Sequence, residues 1–211
     1  LIIMTKNIKE LLSLNGKYSL VTGGYGHLGA AISEGLAELG SNVIICGKRK
    51  EEGDKLASFL SKEYDVSVVF NEVDLNSKNS IDKLFENISN VDVLINNGFT
   101  WPTKVNFEET LWEDFEGTIQ SGITSPFYVS KKSIEFMKLK NSGKIINIGS
   151  MYGIVSPNFK IYRDHPKMGN AIAYGASKAA LIQMTKYLAV YCAKWNINVN
   201  CISPGPFPKP H

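Results

Sequence analysis

Tyr18 to Gly29 reads Y-S-L-V-T-G-G-Y-G-H-L-G. Tyr18 to Val21 has the length and apolar character of a buried strand, and it runs straight into a glycine cluster. A helical pattern then continues through Leu28, Ala31, Ile32, Gly35, Leu36 and Leu39, and Gly40 stops it. Asn42 to Cys46 is a second apolar run of strand length. Strand, glycine turn, helix and strand within about 30 residues make a βαβ unit. Glycines in such a turn let the backbone approach a pyrophosphate, and the helix N-terminus supplies N–H groups and positive potential. The plainer reading is a tight turn that binds nothing.

The rest of the chain repeats this alternation. Asn7 to Leu14 predicts a short opening helix, Lys50 to Tyr64 a longer one, and Val66 to Phe70 a third strand. A helix over Lys78 to Ser89 leads to a strand at Val91 to Ile95. Asn96 to Phe107 reads as a loop, with Gly98 and Pro102 as breakers. Phe115 to Lys138 is largely helical, interrupted at Pro126; Lys144 to Ile148 is the fifth strand. Gly149 to Ala171 is a long loop, a helix runs from about Ala173 to Trp195, and Asn198 to Ile202 is the sixth strand. Six alternations predict an α/β fold: a three-layer, doubly wound, mostly parallel sheet with helices on both faces. No repeat, low-complexity tract or linker divides the chain, so residues 1–211 are expected to form a single domain, with an inserted loop at about 158–170.

Composition narrows the function. The 211 residues are 44% hydrophobic, and the formal net charge is only +3 with no long single-sign run, which argues against nucleic acid as partner. No apolar run reaches about 18 residues, so no transmembrane helix is expected. L-I-I-M-T-K-N-I-K-E has no signal-peptide layout. Cys46, Cys192 and Cys201 lie in apolar surroundings without C-x-x-C spacing, as reduced thiols of a cytoplasmic protein do. His27, His165 and His211 lack metal-ligand spacing, and no metal is expected.

Two further stretches carry chemistry. The second strand ends in C-G-K-R-K, where an NAD enzyme would place an acid to hold the ribose hydroxyls. Gly47 stands there instead, followed by Lys48, Arg49 and Lys50, which suit the 2′-phosphate of NADP; a solvated basic loop is the alternative. Ala173 to Ala180 reads A-Y-G-A-S-K-A-A. On a helix, Tyr174 and Lys178 leave the same face. A fixed ammonium beside a phenol favours the phenolate and makes the tyrosine usable as an acid or base near neutral pH.

With these pieces the chain resembles the short-chain dehydrogenase/reductase family from about Tyr18 to Phe207. The resemblance rests on T-G-G-Y-G-H-L-G, V-D-L at Val73 to Leu75, N-N-G at Asn96 to Gly98, I-I-N-I-G-S ending at Ser150, Y-G-A-S-K, and N-V-N-C-I-S-P-G. It implies that Thr22, Gly23 and Gly29 form the phosphate turn together with Gly26, His27 and Leu28. It implies that Asp74 and Leu75 border the adenine, that Lys48, Asn96 and Gly98 line the cofactor, and that Pro204 and Gly205 lie beside the nicotinamide. Ser150 would hydrogen-bond the substrate oxygen, Tyr174 would exchange a proton with it, and Lys178 would bind the ribose. The implied activity is hydride transfer between NADP (or NAD) and a hydroxyl or carbonyl carbon. The implied assembly is a homodimer or homotetramer paired through the two long helices.

The departures from the family pattern are specific. The middle glycine of T-G-x-x-x-G-x-G is His27, with Gly26 one place early. N-N-A-G is N-N-G-F, with Phe99 in place of a glycine. The family's catalytic Asn falls on Gly122, which puts its proton relay in doubt; Gln120 and Ser121 are the polar neighbours. The interval from Ser150 to Tyr174 is 24 residues, about 11 longer than usual, and the insert carries Tyr162, Arg163, Asp164, His165 and Lys167. Such a lid suits a polar or anionic substrate, a sugar or sugar derivative; a surface loop without substrate contact is the alternative. The turn and long insert are similar to bacterial surface-sugar and flagellin-glycan enzymes. Family members continue through a substrate-binding segment and a seventh strand, so the chain, ending at His211, is expected to be truncated. The competing function is a nucleotide-binding regulator or scaffold with decayed catalysis, which Gly122 and His27 favour and the trio Ser150, Tyr174 and Lys178 disfavours. An epimerase or dehydratase of the extended relatives fits the turn less well.

Overall fold

The computed structural model describes residues 7–163 and 169–207. A short helix α1 (Ile8–Leu12) opens the chain, closed by a reciprocal capping box between Asn7 and Glu10. Six strands follow: β1 (Tyr18–Thr22), β2 (Asn42–Gly47), β3 (Val68–Glu72), β4 (Val93–Asn96), β5 (Gly143–Ile148) and β6 (Ile197–Ile202). All are parallel and lie in the order β3-β2-β1-β4-β5-β6. The crossovers are helical: α2 (His27–Glu38), α3 (Lys50–Tyr64), α4 (Lys78–Asn87), α5 (Trp112–Ile119), α6 (Ser125–Leu139) and α7 (Ile172–Cys192).

The register explains the two cores. Leu20 sits beside Ile44 and Leu94, Leu94 beside Ile145, and Ile145 beside Val199, so these side chains form one row on one face. That row packs with Leu84 of α4 and Met137 of α6. One residue along, Val21, Ile45 and Ile95 face the opposite way and pack with Ala37 of α2 and Leu60 of α3. Each fully buried Leu or Ile contributes about 1.5–3 kcal/mol, which fixes register because a one-residue slip exchanges the two faces.

Several element boundaries differ from the pattern reading by one to three residues, and two of the differences have a visible cause. β3 begins at Val68 rather than Val66 because α3 ends on Asp65 in the left-handed conformation (φ 51°), and Ser67 N–H then donates to Asn42 Oδ1 (3.1 Å). Pro126 does not break a helix. α5 ends at Ile119, Gln120–Thr124 forms a π turn, and α6 starts at Ser125. The chain stays right-handed helical through the π turn, which accommodates the N–H that Pro126 lacks without ending the helix.

Candidate active site

The chain runs from β1 outward to β3 and then returns past β1 to β4, so the sheet reverses direction between β1 and β4. Crevices at the carboxyl ends of such strands are where open parallel sheets bind ligands. Here the two loops are clamped together. Thr22 Oγ1 accepts the N–H groups of Asn97 and Gly98 (both 2.9 Å), and Asn97 Nδ2 donates to the carbonyls of Thr22 (3.0 Å) and Gly23 (3.1 Å). Thr22 is buried and serves the clamp. Asn97, which the motif reading passed over, does as much for the turn as Thr22.

The turn itself is shaped for backbone approach. Gly23 has φ +61°, and a Cβ there would lie 2.8 Å from the Gly98 Cα. A Cβ on Gly29 would lie 2.1 Å from the Gly23 carbonyl oxygen, so only glycine permits α2 to start this close to the strand. Gly26 is the N-cap of α2 and no side chain caps it, which leaves the first N–H groups of a 12-residue helix available to an anion. Leu28 follows in that first turn. His27 is exposed at the first helical position, outside the tight Gly23–Gly29 contact. A dinucleotide's pyrophosphate fits this cradle.

Asp74 and Leu75 follow β3. Lys48, just past β2, pairs with Asp74 Oδ1 at 2.9 Å, and both side chains are about half exposed. Burial alone would raise the Asp74 carboxyl, but Lys48 and the N–H of Asn76 outweigh it and hold it below the usual carboxylate value. Leu75 closes on the backbone of Gly98, where a Cβ would lie 2.5 Å from Leu75 Cδ1. Asn96 is placed otherwise than expected. Its Nδ2 donates to Ser130 Oγ (2.9 Å) and Asn147 Oδ1 (2.8 Å) inside the molecule, so its side chain faces the core and not a cofactor. Asn147 Nδ2 extends the chain of bonds to Thr185 Oγ1 (2.8 Å).

Lys178 docks where β5 ends against α7, with Ser150 two residues past the strand and Tyr174 one helical turn before Lys178. Lys178 Nζ donates to the Ile148 carbonyl at 2.7 Å, two residues before Ser150. Ser150 is 4% exposed and its Oγ accepts the Tyr152 N–H (3.1 Å), starting a turn over Met151–Gly153. That turn lies directly on α7: a Cβ on Gly153 would be 2.8 Å from the Lys178 carbonyl carbon, and one on Gly175 would be 3.0 Å from the Tyr152 oxygen. The Met151 N–H donates to the Pro204 carbonyl (3.2 Å), which brings the segment after β6 alongside, with Gly205 in open space beyond. Lys178 is 5% exposed, and burial pushes its ammonium down to about 8. Its Nζ lies 5.8 Å from the centre of the Tyr174 ring.

Aromatic side chains from the loop after β4 cover this corner. Trp101 stacks on Tyr174 (4.8 Å between centroids, 24°), and Phe99 meets Tyr174 edge-on at 5.2 Å. Lys178 Nζ is 4.8 Å from the Phe99 ring centre. Two departures from the family pattern are thus one exchange. A Cβ at Gly122 would lie 2.4 Å from Ser177 Oγ and 3.1 Å from Phe99 Cε2, so Ser177 and Phe99 fill the room an Asn would need. Ser121 is no substitute, because its Oγ is engaged with Thr118 (3.2 Å) and Thr100 (3.3 Å). Trp101 carried no motif and was legible only as an aromatic in a loop.

The described part of the insert is a single turn of 3-10 helix, Phe159–Tyr162, with Tyr162 Oη 3.0 Å from Tyr152 Oη. Asp164, His165 and Lys167 lie outside the described residues. A cleft of about 590 Å³ separates this turn from the 105–108 segment, with Val105, Phe107, Pro157, Phe159 and Ile172 among its walls and Asn106 and Asn170 at its rim. The walls that can be described are more apolar than the composition of the insert implies.

Known proteins share this fold. The family description "short chain dehydrogenase" matches residues 17–210. The 3-oxoacyl-[acyl-carrier-protein] reductase FabG of Aquifex aeolicus is 35% identical over 200 residues, covering 92% of this chain and 75% of that protein. Among solved structures, the NADP complex of Pseudomonas aeruginosa RhlG is 33% identical with a TM-score of 0.81, covering 93% of this chain and 75% of the other. An NAD+-bound xylitol dehydrogenase is 30% identical with a TM-score of 0.79, covering 90% and 70%. The family match spans nearly the whole length that also builds the sheet, the glycine cradle and the Ser150–Tyr174–Lys178 corner: the chain belongs to the short-chain dehydrogenase family.

Proposed function

We propose that the protein is an NADP-dependent oxidoreductase that interconverts a carbinol and a carbonyl on a small polar substrate, a sugar or sugar derivative, in the cytoplasm. When bound, the nicotinamide supplies or accepts the hydride. The residues named above do the rest. Ser150 Oγ donates a hydrogen bond to the substrate oxygen and fixes it. Tyr174 gives its phenolic proton to that oxygen in reduction and takes it back in oxidation. Lys178, fixed on the Ile148 carbonyl, keeps positive charge beneath the phenol and steadies the phenolate. Trp101, exposed and stacked on Tyr174, offers its outer face for the C–H side of a sugar ring.

The observation that carries the reading is the Lys178 Nζ–Ile148 O bond, which ties the helix bearing Tyr174 to the end of the strand that leads into Ser150. A protein that only bound the nucleotide would use the lysine for the ribose but would need neither Ser150 nor a phenol one helical turn before that lysine. The test is NADPH oxidation over a panel of ketoses and other carbonyl compounds, comparing wild type with Tyr174→Phe. The expected result is turnover by the wild type with kcat/KM lowered about a hundredfold to ten-thousandfold in the variant. Equal rates would overturn it.

A further inference from the structure

We propose that Phe99 is a positioning residue of the active site: the face of its ring seats the Lys178 ammonium beside Tyr174, in the space that Gly122 frees. The proposal rests on the reading of the protein as a dehydrogenase and deepens it, because it names what stands beside the lysine in place of the family's Asn.

Phe99 replaces a glycine of the family pattern, so its ring is an addition. The backbone on either side is pinned. The Gly98 N–H donates to Thr22 Oγ1 (2.9 Å) and the Thr100 N–H to Ser121 Oγ (3.3 Å). The ring is pinned as well. It makes T-shaped contacts with Tyr174 (5.2 Å, 75°) and Trp101 (5.4 Å, 83°), and its Cε2 lies 3.1 Å from where a Cβ of residue 122 would stand. Lys178 Nζ lies over this fixed ring, 4.8 Å from its centre. That is inside the distance of about 6 Å at which the ring quadrupole attracts a cation.

A buried ammonium calls for such compensation. Lys178 is 5% exposed, and its hydrogen bond to the Ile148 carbonyl (2.7 Å) engages it from the β5 side. The hydroxyls next to Gly122 are engaged elsewhere: Ser177 Oγ donates to the Tyr174 carbonyl (2.9 Å) and Ser121 Oγ to the Thr118 carbonyl (3.2 Å). The ring attracts the cation and has no attraction for the neutral amine, so it opposes the burial that pulls Lys178 down to about 8. The titratable groups facing the ammonium are Tyr174 on its own helix and Cys201 on β6. In the turn over Met151–Gly153, the Tyr152 phenol is bonded to Tyr162 Oη (3.0 Å). The 98–101 segment and the π turn carry no titratable side chain.

Carbon-13 NMR titration of the lysine Cε signals in the cofactor-free protein reads the ammonium directly, with Lys178→Met identifying its resonance. Mono-, tri- and pentafluorinated phenylalanine at position 99 nearly keep the size of the ring and progressively remove the negative charge of its face. The inference expects the Lys178 midpoint to fall stepwise along this series, by about 0.5–1.5 pH units with the pentafluorinated ring and in Phe99→Leu. The alkaline limb of kcat/KM is expected to move down with it. One midpoint throughout the series, or a rise along it, would overturn the inference, since the ring would then act by packing alone. The fluorinated rings decide the matter even where Phe99→Leu fails to fold, and circular dichroism checks each variant. The titration requires no turnover: a wild type that does not oxidise NADPH overturns the proposed function, while the midpoints still judge Phe99.

Discussion

Lys178 is the most heavily constrained side chain of the site, and its burial makes it a titrating one. Its ammonium titrates near 8 in the folded protein and near 10.4 in an unfolded chain. Between those values the unfolded chain binds more protons, so folding stability from this group rises as pH climbs from about 8 to about 10.4. Urea midpoints at pH 7.5, 8.5 and 9.5 are expected to show that rise in the wild type and its loss in Lys178→Met; the same slope in both would contradict the placement of Lys178. In catalysis the sign reverses, since the useful form is the cation. Activity is expected to fall as pH rises past about 8. Gly122 makes a second prediction. Gly122→Asn restores the family residue but drives it into the buried Ser177 and the Phe99 ring. Overpacking of this kind costs about 1–3 kcal/mol, so the variant should melt lower and gain no activity. A melting temperature equal to wild type would show that the space is open after all.

At the scale of elements, the structure separates residues that act on ligands from residues that hold the strands in place. Asn96, Ser130, Asn147 and Thr185 link β4, α6, β5 and α7 through buried side-chain hydrogen bonds. Asn96→Ala leaves Ser130 and Asn147 short of a partner and is expected to cost about 1–3 kcal/mol by denaturant midpoint. NADPH affinity should be unchanged in that variant; a large loss of affinity with normal stability would return Asn96 to the cofactor site. This distinction was not legible in the sequence. N-N-G places an asparagine at a strand end, but which of Asn96 and Asn97 turns inward depends on the register of β4 against β5. The strands, the glycine turn, and Tyr174 with Lys178 were legible because periodicity and spacing are local properties. The π turn before Pro126 and the pairing of Phe99 with Gly122 were not, because each is a contact between segments more than 20 residues apart or a shift of one residue in a helical ladder.

At the scale of the whole molecule, the sheet order gathers the glycine turn, the 96–99 loop, the Ser150 turn and the segment after β6 at one edge, because parallel strands all end there. No helix among the described residues is long and apolar enough to cross a membrane. Large apolar side chains stand out on the long helices α6 and α7, with Phe127 50%, Tyr187 65% and Val190 82% exposed. Burying them against a second copy is the simplest use of such a face. Light scattering at micromolar concentration is expected to give a dimer or tetramer, and Val190→Glu to shift it toward monomer; a monomeric wild type would refute this assembly. The most direct test of the central claim is a crystal structure of the protein soaked with NADP. The account predicts pyrophosphate at the N-terminus of α2 and nicotinamide C4 facing both Ser150 Oγ and Tyr174 Oη across one cleft. Those two oxygens on opposite sides of the bound ring, or dinucleotide bound away from the glycine turn, would contradict it.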